Sequence, residues 1–328
     1  MTIGMFSITM IEYAAFLYLR SLSLNNTIDV IQAWFEREVL SKDILLDHIE
    51  QLIDKLPGQE EITSVFNPYR SGYFAWDGLW TKYQGEDIVL LICFDTVTLD
   101  LVNYQVATDE NFNTYGLLID KIQRTEPDIL AKARGFFLDG ELGLLKQLKE
   151  KFPQVPKQLC AFHKYSRVGQ IIPFVRARGI ERIIKRKVEQ VIFASTKKQA
   201  ILALVSLKRY AQIHQKNKKL RQIIGVLKRN FDLLITHFDN PEMSPYNNVL
   251  EGFNHIIKRR LRLMKGFKKE VNVYRWLKLI LLDYRFHTIK TSLFKERNGK
   301  SPLELAGVQL PKHFNWIKLV RKKFKIAT

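Results

Sequence analysis

Between residues 73 and 163 the apolar residues change period, and the order of the resulting runs leaves few folds open. Residues 73–82, 88–95 and 101–107 are three short β-type runs, rich in aromatic and branched side chains. The separators at 84–87 and 98–100 are short enough for hairpins. Residues 112–124 then read as a helix, 135–141 as a buried strand ending on an acid and a glycine, 141–151 as a helix, and 158–163 as a last short strand. Three antiparallel strands, helix, strand, helix, strand predicts a mixed α/β sheet. In that order the first strand is central and the fourth lies beside it.

This is the element order of an RNase H-like sheet, and it makes neighbours of two acids distant in sequence. Asp77 lies within the first strand, between Trp76 and Trp80, with Gly78 allowing close approach; Asp139 ends the fourth strand. A third acid on a later helix, Glu251, is available to join them. Clustered carboxylates repel unless cations sit between them. Oxygen ligands of this kind select Mg2+ or Mn2+, and two such ions support in-line phosphoryl transfer. Asp95 also ends an apolar strand and competes with Asp77 for the first position, although it reads better as the acid of a hairpin corner. Glu141 reads as a cap of the following helix.

Glu251 belongs to the stretch 244–268. Ser244 and Pro245 predict a helix start, and Gly266 its stop. Leu250, Phe253, Ile257, Leu261 and Met264 form a core-facing stripe at helical spacing. One position round from it, Glu251, His255, Lys258 and Arg262 make a charged ladder, so that one carboxylate two turns into the helix is followed by basic groups. Lys258, Arg259, Arg262, Lys265 and Lys268 are the candidate contacts to a phosphate backbone.

Charge supports that reading. The 328 residues carry a net +19, but residues 161–328 hold 38 Lys and Arg against 10 Asp and Glu, a net of +28, whereas residues 1–66 are net acidic. A half-chain this basic implies a polyanionic partner, most simply nucleic acid. No run reaches the length of a membrane span. The apolar start lacks a basic leader and contains Glu12, so it is a poor signal peptide. Two cysteines make no disulfide framework, and the expected location is a reduced cytoplasm, in association with the nucleoid. Cys160 and His163 have a metal-ligand spacing but lack local partners for a zinc site; His163 is either a half-buried structural group or a contact to the scissile phosphate or an unstacked base. Residues 11–22, 26–37 and 41–56 read as three helices, capped by Asn25 or Asn26 in the second and by Ser41 in the third. They could form a helix-turn-helix unit, yet Asp43, Asp47, Glu50 and Asp54 on the third argue against its meeting phosphates. The expected divisions are 1–66, a catalytic core at 67–164, a basic helical insertion at 165–243, and closing core helices with a basic tail at 244–328.

The runs Trp76-Asp-Gly-Leu-Trp-Thr-Lys, Phe137-Leu-Asp-Gly, Leu159-Cys-Ala-Phe-His and Asn247-Asn-Val-Leu-Glu-Gly-Phe-Asn, in this order, resemble the DDE transposases of prokaryotic insertion sequences and their Mutator-like relatives. Asn298-Gly-Lys-Ser-Pro-Leu-Glu-Leu-Ala-Gly is similar to the group's closing motif. The resemblance covers roughly residues 10–310. It implies an RNase H-like catalytic domain in which Asp77, Asp139 and Glu251 bind two divalent ions, Mg2+ or Mn2+. It also implies metal-dependent cleavage of DNA at element ends, strand transfer by the freed 3′-hydroxyl, and a homo-oligomer assembled on DNA. Cys160 and His163 correspond to the group's Cys-x-x-His signature, and Asn247 and Asn248 stand one turn before Glu251, where they could orient it. Relatives often begin with a Cys-rich zinc ribbon that this sequence lacks, so recognition of DNA ends is expected to lie elsewhere or to have been lost. The alternatives are a decayed transposase that only occupies DNA, and an RNase H-like nuclease without strand transfer.

Overall fold

The computed structural model describes residues 2–3, 6–36, 41–264, 267–312 and 314–326. Its centre is a five-stranded mixed sheet. Strands β1 (Tyr73–Tyr83), β2 (Glu86–Asp95) and β3 (Leu101–Ala107) form an antiparallel meander. Strands β4 (Gly135–Leu138) and β5 (Lys157–Leu159) add to the other side of β1 in parallel, giving the order β3-β2-β1-β4-β5. The first strand is therefore central and the fourth is its neighbour, as the run order predicts. The β1–β2 hairpin turns through Gln84 and Gly85, both at positive φ, which suits a tight primed turn.

Alternation along β1 sends its side chains to two cores. Phe74 and Trp76 join the core built with α5 (Phe112–Thr125), α6 (Leu142–Lys151), α7 (Ala161–Ile171), α8 (Ile180–Ile192), α9 (Lys197–Ile213) and α10 (Lys218–Lys228). Tyr73, Ala75 and Leu79 face the other core, which draws on the N-terminal helices, α12 (Asn248–Met264), α13 (Glu270–Phe286) and the tail helix. The N-terminal helices are α1 (Ile8–Leu19), α2 (Leu24–Phe35), α3 (Lys42–Lys55) and α4 (Gln59–Phe66). Short α11 (Phe231–Leu234) precedes α12, and α14 (Pro302–Leu305) and α15 (Trp316–Lys323) close the chain. No helix among the described residues is long and apolar enough to cross a membrane.

Four expectations need correction. Ser23, not Asn25 or Asn26, caps α2, accepting from the Asn26 N–H. Helix α4 was not expected; Glu61 reaches back to the Gly58 N–H at 2.6 Å and starts it. Residues 160–163 are not strand. The Cys160 N–H makes a last ladder bond to the Leu138 carbonyl, after which the Ala161 N–H turns to the Pro245 carbonyl and α7 begins. That same bond holds Pro245 outside α12. The Ser244 hydroxyl accepts from the Tyr246 N–H, a local turn rather than a helix cap, and α12 starts at Asn248. Lys265 and Gly266, the expected stop, lie outside the described residues.

Buried ion pairs tie distant segments together. Arg285 and Asp100 are both fully buried and joined by two bonds of 2.7 Å, and Arg70 bridges Asp100 to Glu126. Arg321 of α15 bonds Glu12 of α1. Two acids of α3, Glu50 and Asp54, pair with Arg275 of α13.

Candidate active site

The parallel pairing of Ala75 with Phe137 explains why two acids meet. Asp77 and Asp139 each lie two residues past that pair, on adjacent strands running the same way. Asp77 Oδ1 accepts from the Gly78 N–H at 2.9 Å, and Asp77 Oδ2 accepts from Asn254 Nδ2 at 2.6 Å. Asp139 follows the last residue of β4. Its Oδ1 accepts from the Glu141 N–H at 3.0 Å, and the positive φ of Gly140 forms the sharp bend between them. Glu141 in turn caps α6 through the Leu144 N–H. Burial, joined by repulsion from Asp139, pushes the Asp77 carboxyl up to about 6.

His163, on the first turn of α7, faces this pair. Hydrogen bonding with Cys160 pushes its imidazole up to about 9 against the opposing effect of burial, and Asp139 and Asp77 add to the rise. Burial alone would raise the Cys160 thiol, but His163 pulls it below its ordinary value. The shift favours the protonated ring in a field set by Cys160 and the two carboxylates.

Glu251 approaches from the same side. It lies in the first turn of α12, not the second, so its carboxylate gains from the positive end of the helix dipole. Potential ligand atoms of Cys160, His163 and Glu251 lie within 4.8 Å of one another. Among the described residues no group this tight includes Asp77 or Asp139. The acids thus form a chain, Asp77 with Asp139 and then, across His163, Glu251. Asn254, one turn beyond Glu251, closes it by binding Asp77.

Asn247 precedes α12, is 3% exposed, and accepts the Glu251 N–H with its backbone carbonyl at 3.2 Å. Asn248 is exposed at the first helical position. Asn247 Oδ1, Asn254 Oδ1 and His163 Nδ1 are buried without a hydrogen-bond partner. Three orphaned polar atoms around two repelling acids fit a site completed by cations and polar ligand atoms.

Three further groups escape a reading of the sequence. Asn254 is one. Glu110, from the loop after β3, packs over Gly78 so closely that a Cβ there would come within 2.3 Å of its carboxylate; Trp80 Nε1 and the Tyr115 hydroxyl donate to it at 2.7 and 3.0 Å. Burial raises the Glu110 carboxyl, and Asp139 adds to the rise. The Trp-Asp-Gly-x-Trp pattern and the acidic pair before the Asn111 cap were its available signals. Arg167 is the third, donating to the Gly140 carbonyl at 3.3 Å and placing a cation beside Asp139. Asp95, the rival of Asp77, is a corner acid: it accepts from the Ser71 N–H and hydroxyl and from the N–H groups of Val97 and Thr98.

On the solvent side of α12, Leu250, Phe253, Ile257 and Leu261 are buried while Lys258, Arg259 and Arg262 are exposed, and Lys268 beyond it is exposed too. Lys265 lies outside the described residues. An open cleft of roughly 780 Å³ beside Glu251 is walled by Phe162, Tyr165 and Phe174, with Arg176 at its edge.

The sheet thus presents two neighbouring carboxylates next to a basic helical half. Residues 102–289 match the family described as Transposase, Mutator family. The chain belongs to that family. It is also 23% identical over 190 residues to the transposase for insertion sequence element IS1201 of Lactobacillus helveticus. The match covers 57% of this chain and 48% of that relative, so the chain spans about half of the relative's length.

Proposed function

We propose that this chain cuts DNA at the ends of an insertion sequence and joins the freed 3′-hydroxyls to target DNA, using an RNase H-like sheet. The observation that carries the proposal is the Asp77–Asp139 pair, set two residues past the paired Ala75 and Phe137 on adjacent parallel strands, where burial first and Asp139 second push Asp77 up to about 6. Asp77 and Asp139, with Glu251 from α12, are the residues that would hold divalent ions, Mg2+ or Mn2+, which supply charge neutralisation and an activated oxygen nucleophile when bound. The protein's own part is positional. Asn254 and the Gly78 N–H fix both oxygens of Asp77, the Glu141 N–H fixes Asp139, and Asn247 anchors the start of the helix that carries Glu251. Cys160 holds the His163 imidazole up at about 9, which favours its protonated form, and its orphaned Nδ1 suits a phosphate oxygen. Lys258, Arg259, Arg262 and Lys268, together with Arg167 beside Asp139, would hold the DNA backbone. The aromatic cleft beside Glu251 offers stacking faces for an unpaired base. Two copies of the chain, one per element end, would act together on DNA.

The test is cleavage of labelled element ends by the purified full chain. Asp77→Ala, Asp139→Ala and Glu251→Ala are each expected to abolish Mg2+- or Mn2+-dependent cutting while retaining DNA binding. A Glu251→Ala protein that cuts at the normal rate would remove Glu251 from the set. Cleavage without joined products would favour a nuclease that stops before strand transfer.

A further inference from the structure

A second polar site lies on the far side of α12 from the acids. Arg259, Arg260, Asp283, His287 and Lys290 line a cavity of roughly 490 Å³ between α12, α13 and the segment that follows α13. Arg260 is 9% exposed, and its Nη1 is buried without a hydrogen-bond partner among the described residues. Among the described residues Asp283 is the one acid lining the cavity, and it is already committed. It accepts from Arg20 at 2.8 and 3.2 Å and from Trp316 Nε1 at 3.0 Å. Arg260 Nη2 stands off from it at 3.6 Å.

One carboxylate thus faces the guanidinium groups of Arg20 and Arg260, with Arg259 and Lys290 adding positive charge at the walls. Burial lowers the Arg260 pKa, and Arg20 and Arg259 add to that fall against the pull of Asp283. A buried cation short of partners is costly in a fold that has no other use for it. A guanidinium with a free edge matches a phosphate in shape and charge.

We propose that this cavity is an anion site that seats one phosphodiester of the bound DNA, with Arg260 as its principal ligand and Lys290 at its rim. It rests on the reading of the chain as a DNA-cutting transposase. It adds a contact about 13 Å along α12 from Glu251, on a face that Lys258 and Arg262 do not cover. Because Arg20 follows α1 directly and Trp316 opens α15, the seated phosphate would sit where the N-terminal helices, the core and the tail converge.

The experiment measures two things on the full chain: the salt dependence of binding to duplex DNA, and the shift in melting temperature caused by inorganic phosphate. Arg260→Met is expected to fold with wild-type or higher thermal stability, because it removes an under-paired buried charge. It should weaken DNA binding roughly tenfold, lower the salt slope by about 0.9, and lose the phosphate-induced shift. Lys290→Gln, at an exposed position, should move both readouts in the same direction by less, and it serves if Arg260→Met does not fold. If both variants keep the wild-type slope and phosphate shift, the site is overturned. A phosphate shift that needs Arg260 beside an unchanged DNA slope would overturn DNA as the occupant. Failure of the wild-type chain to bind DNA at all would instead sink the transposase reading, and with it the DNA occupant.

Discussion

Asn254 on α12 donates to Asp77 on β1 at 2.6 Å, joining residues 177 positions apart. The bond sets the distance between the helix that carries Glu251 and the strand that carries the first acid. Asn254→Ala is expected to reduce metal-dependent cleavage by roughly tenfold to a hundredfold, the usual cost of losing a group that orients a ligand. DNA affinity should be unchanged. Equal loss of binding and cleavage would show that Asn254 merely supports the fold.

Gly78 leaves room for Glu110. Gly78→Ala would place a Cβ within 2.3 Å of Glu110 Oε1, forcing that carboxylate away from Trp80 and Tyr115. That carboxylate ends a flexible side chain and can swing aside, so the cost is that of its two hydrogen bonds, roughly 1–3 kcal/mol. Glu110→Ala loses the same two bonds, so the double variant should be little less stable than either single variant. Urea midpoints for the four proteins of the cycle measure the coupling, and strictly additive midpoints would refute the contact.

Arg285 and Asp100 are both fully buried, and Arg285 also donates to Thr63 of α4. Arg285→Met leaves Asp100 with Arg70 alone and should cost roughly 3 kcal/mol or more, read as a lower denaturant midpoint. Lys132→Ala, which breaks the exposed pair with Asp128, should shift the midpoint by less than about 0.5 kcal/mol.

Burial pushes Lys157 down from the ordinary 10.5 to about 8, where its Nζ donates to the carbonyls of Phe152 and Val155. The sign follows from linkage. Below pH 8 the folded and unfolded chains both hold this proton and the burial penalty is complete. Between about 8 and 10.5 the unfolded chain holds more protons than the folded one, so this group adds stability as pH rises. Lys157→Met should flatten that part of the stability–pH curve. Unfolding midpoints of both proteins from pH 7 to pH 10 check it; parallel curves would contradict the shift.

The sheet was legible because its strands alternate or run apolar over lengths that helices do not use, and the position of β1 followed from connection rules. Asp77 and Asp139 came with it. Where helices begin was harder to see. Ser244 and Pro245 carry the signature of a helix start, but the Pro245 carbonyl is taken by the Ala161 N–H, 84 residues earlier in the chain. The same contact converted residues 160–163 from expected strand to helix, and so moved His163 onto α7. Helix α4 was signalled by Glu61 three residues after Gly58, a capping pattern overlooked because it lacks the usual Ser or Asp. Glu110 and Arg260 were illegible for a different reason. A charged residue on an isolated strand or helix reads as solvated, and only the fold shows that Gly78 and the α12–α13 groove enclose them.

The ion pairs made by the N-terminal helices have a consequence for any shortened form of the chain. Glu50 and Asp54 occupy Arg275, and Glu12 occupies Arg321. A fragment beginning after residue 66 would therefore bare two more cations together with an apolar face of the core. Its attraction to any polyanion would rise as its discrimination fell, so the N-terminal helices work as a built-in competitor for part of the chain's own positive charge.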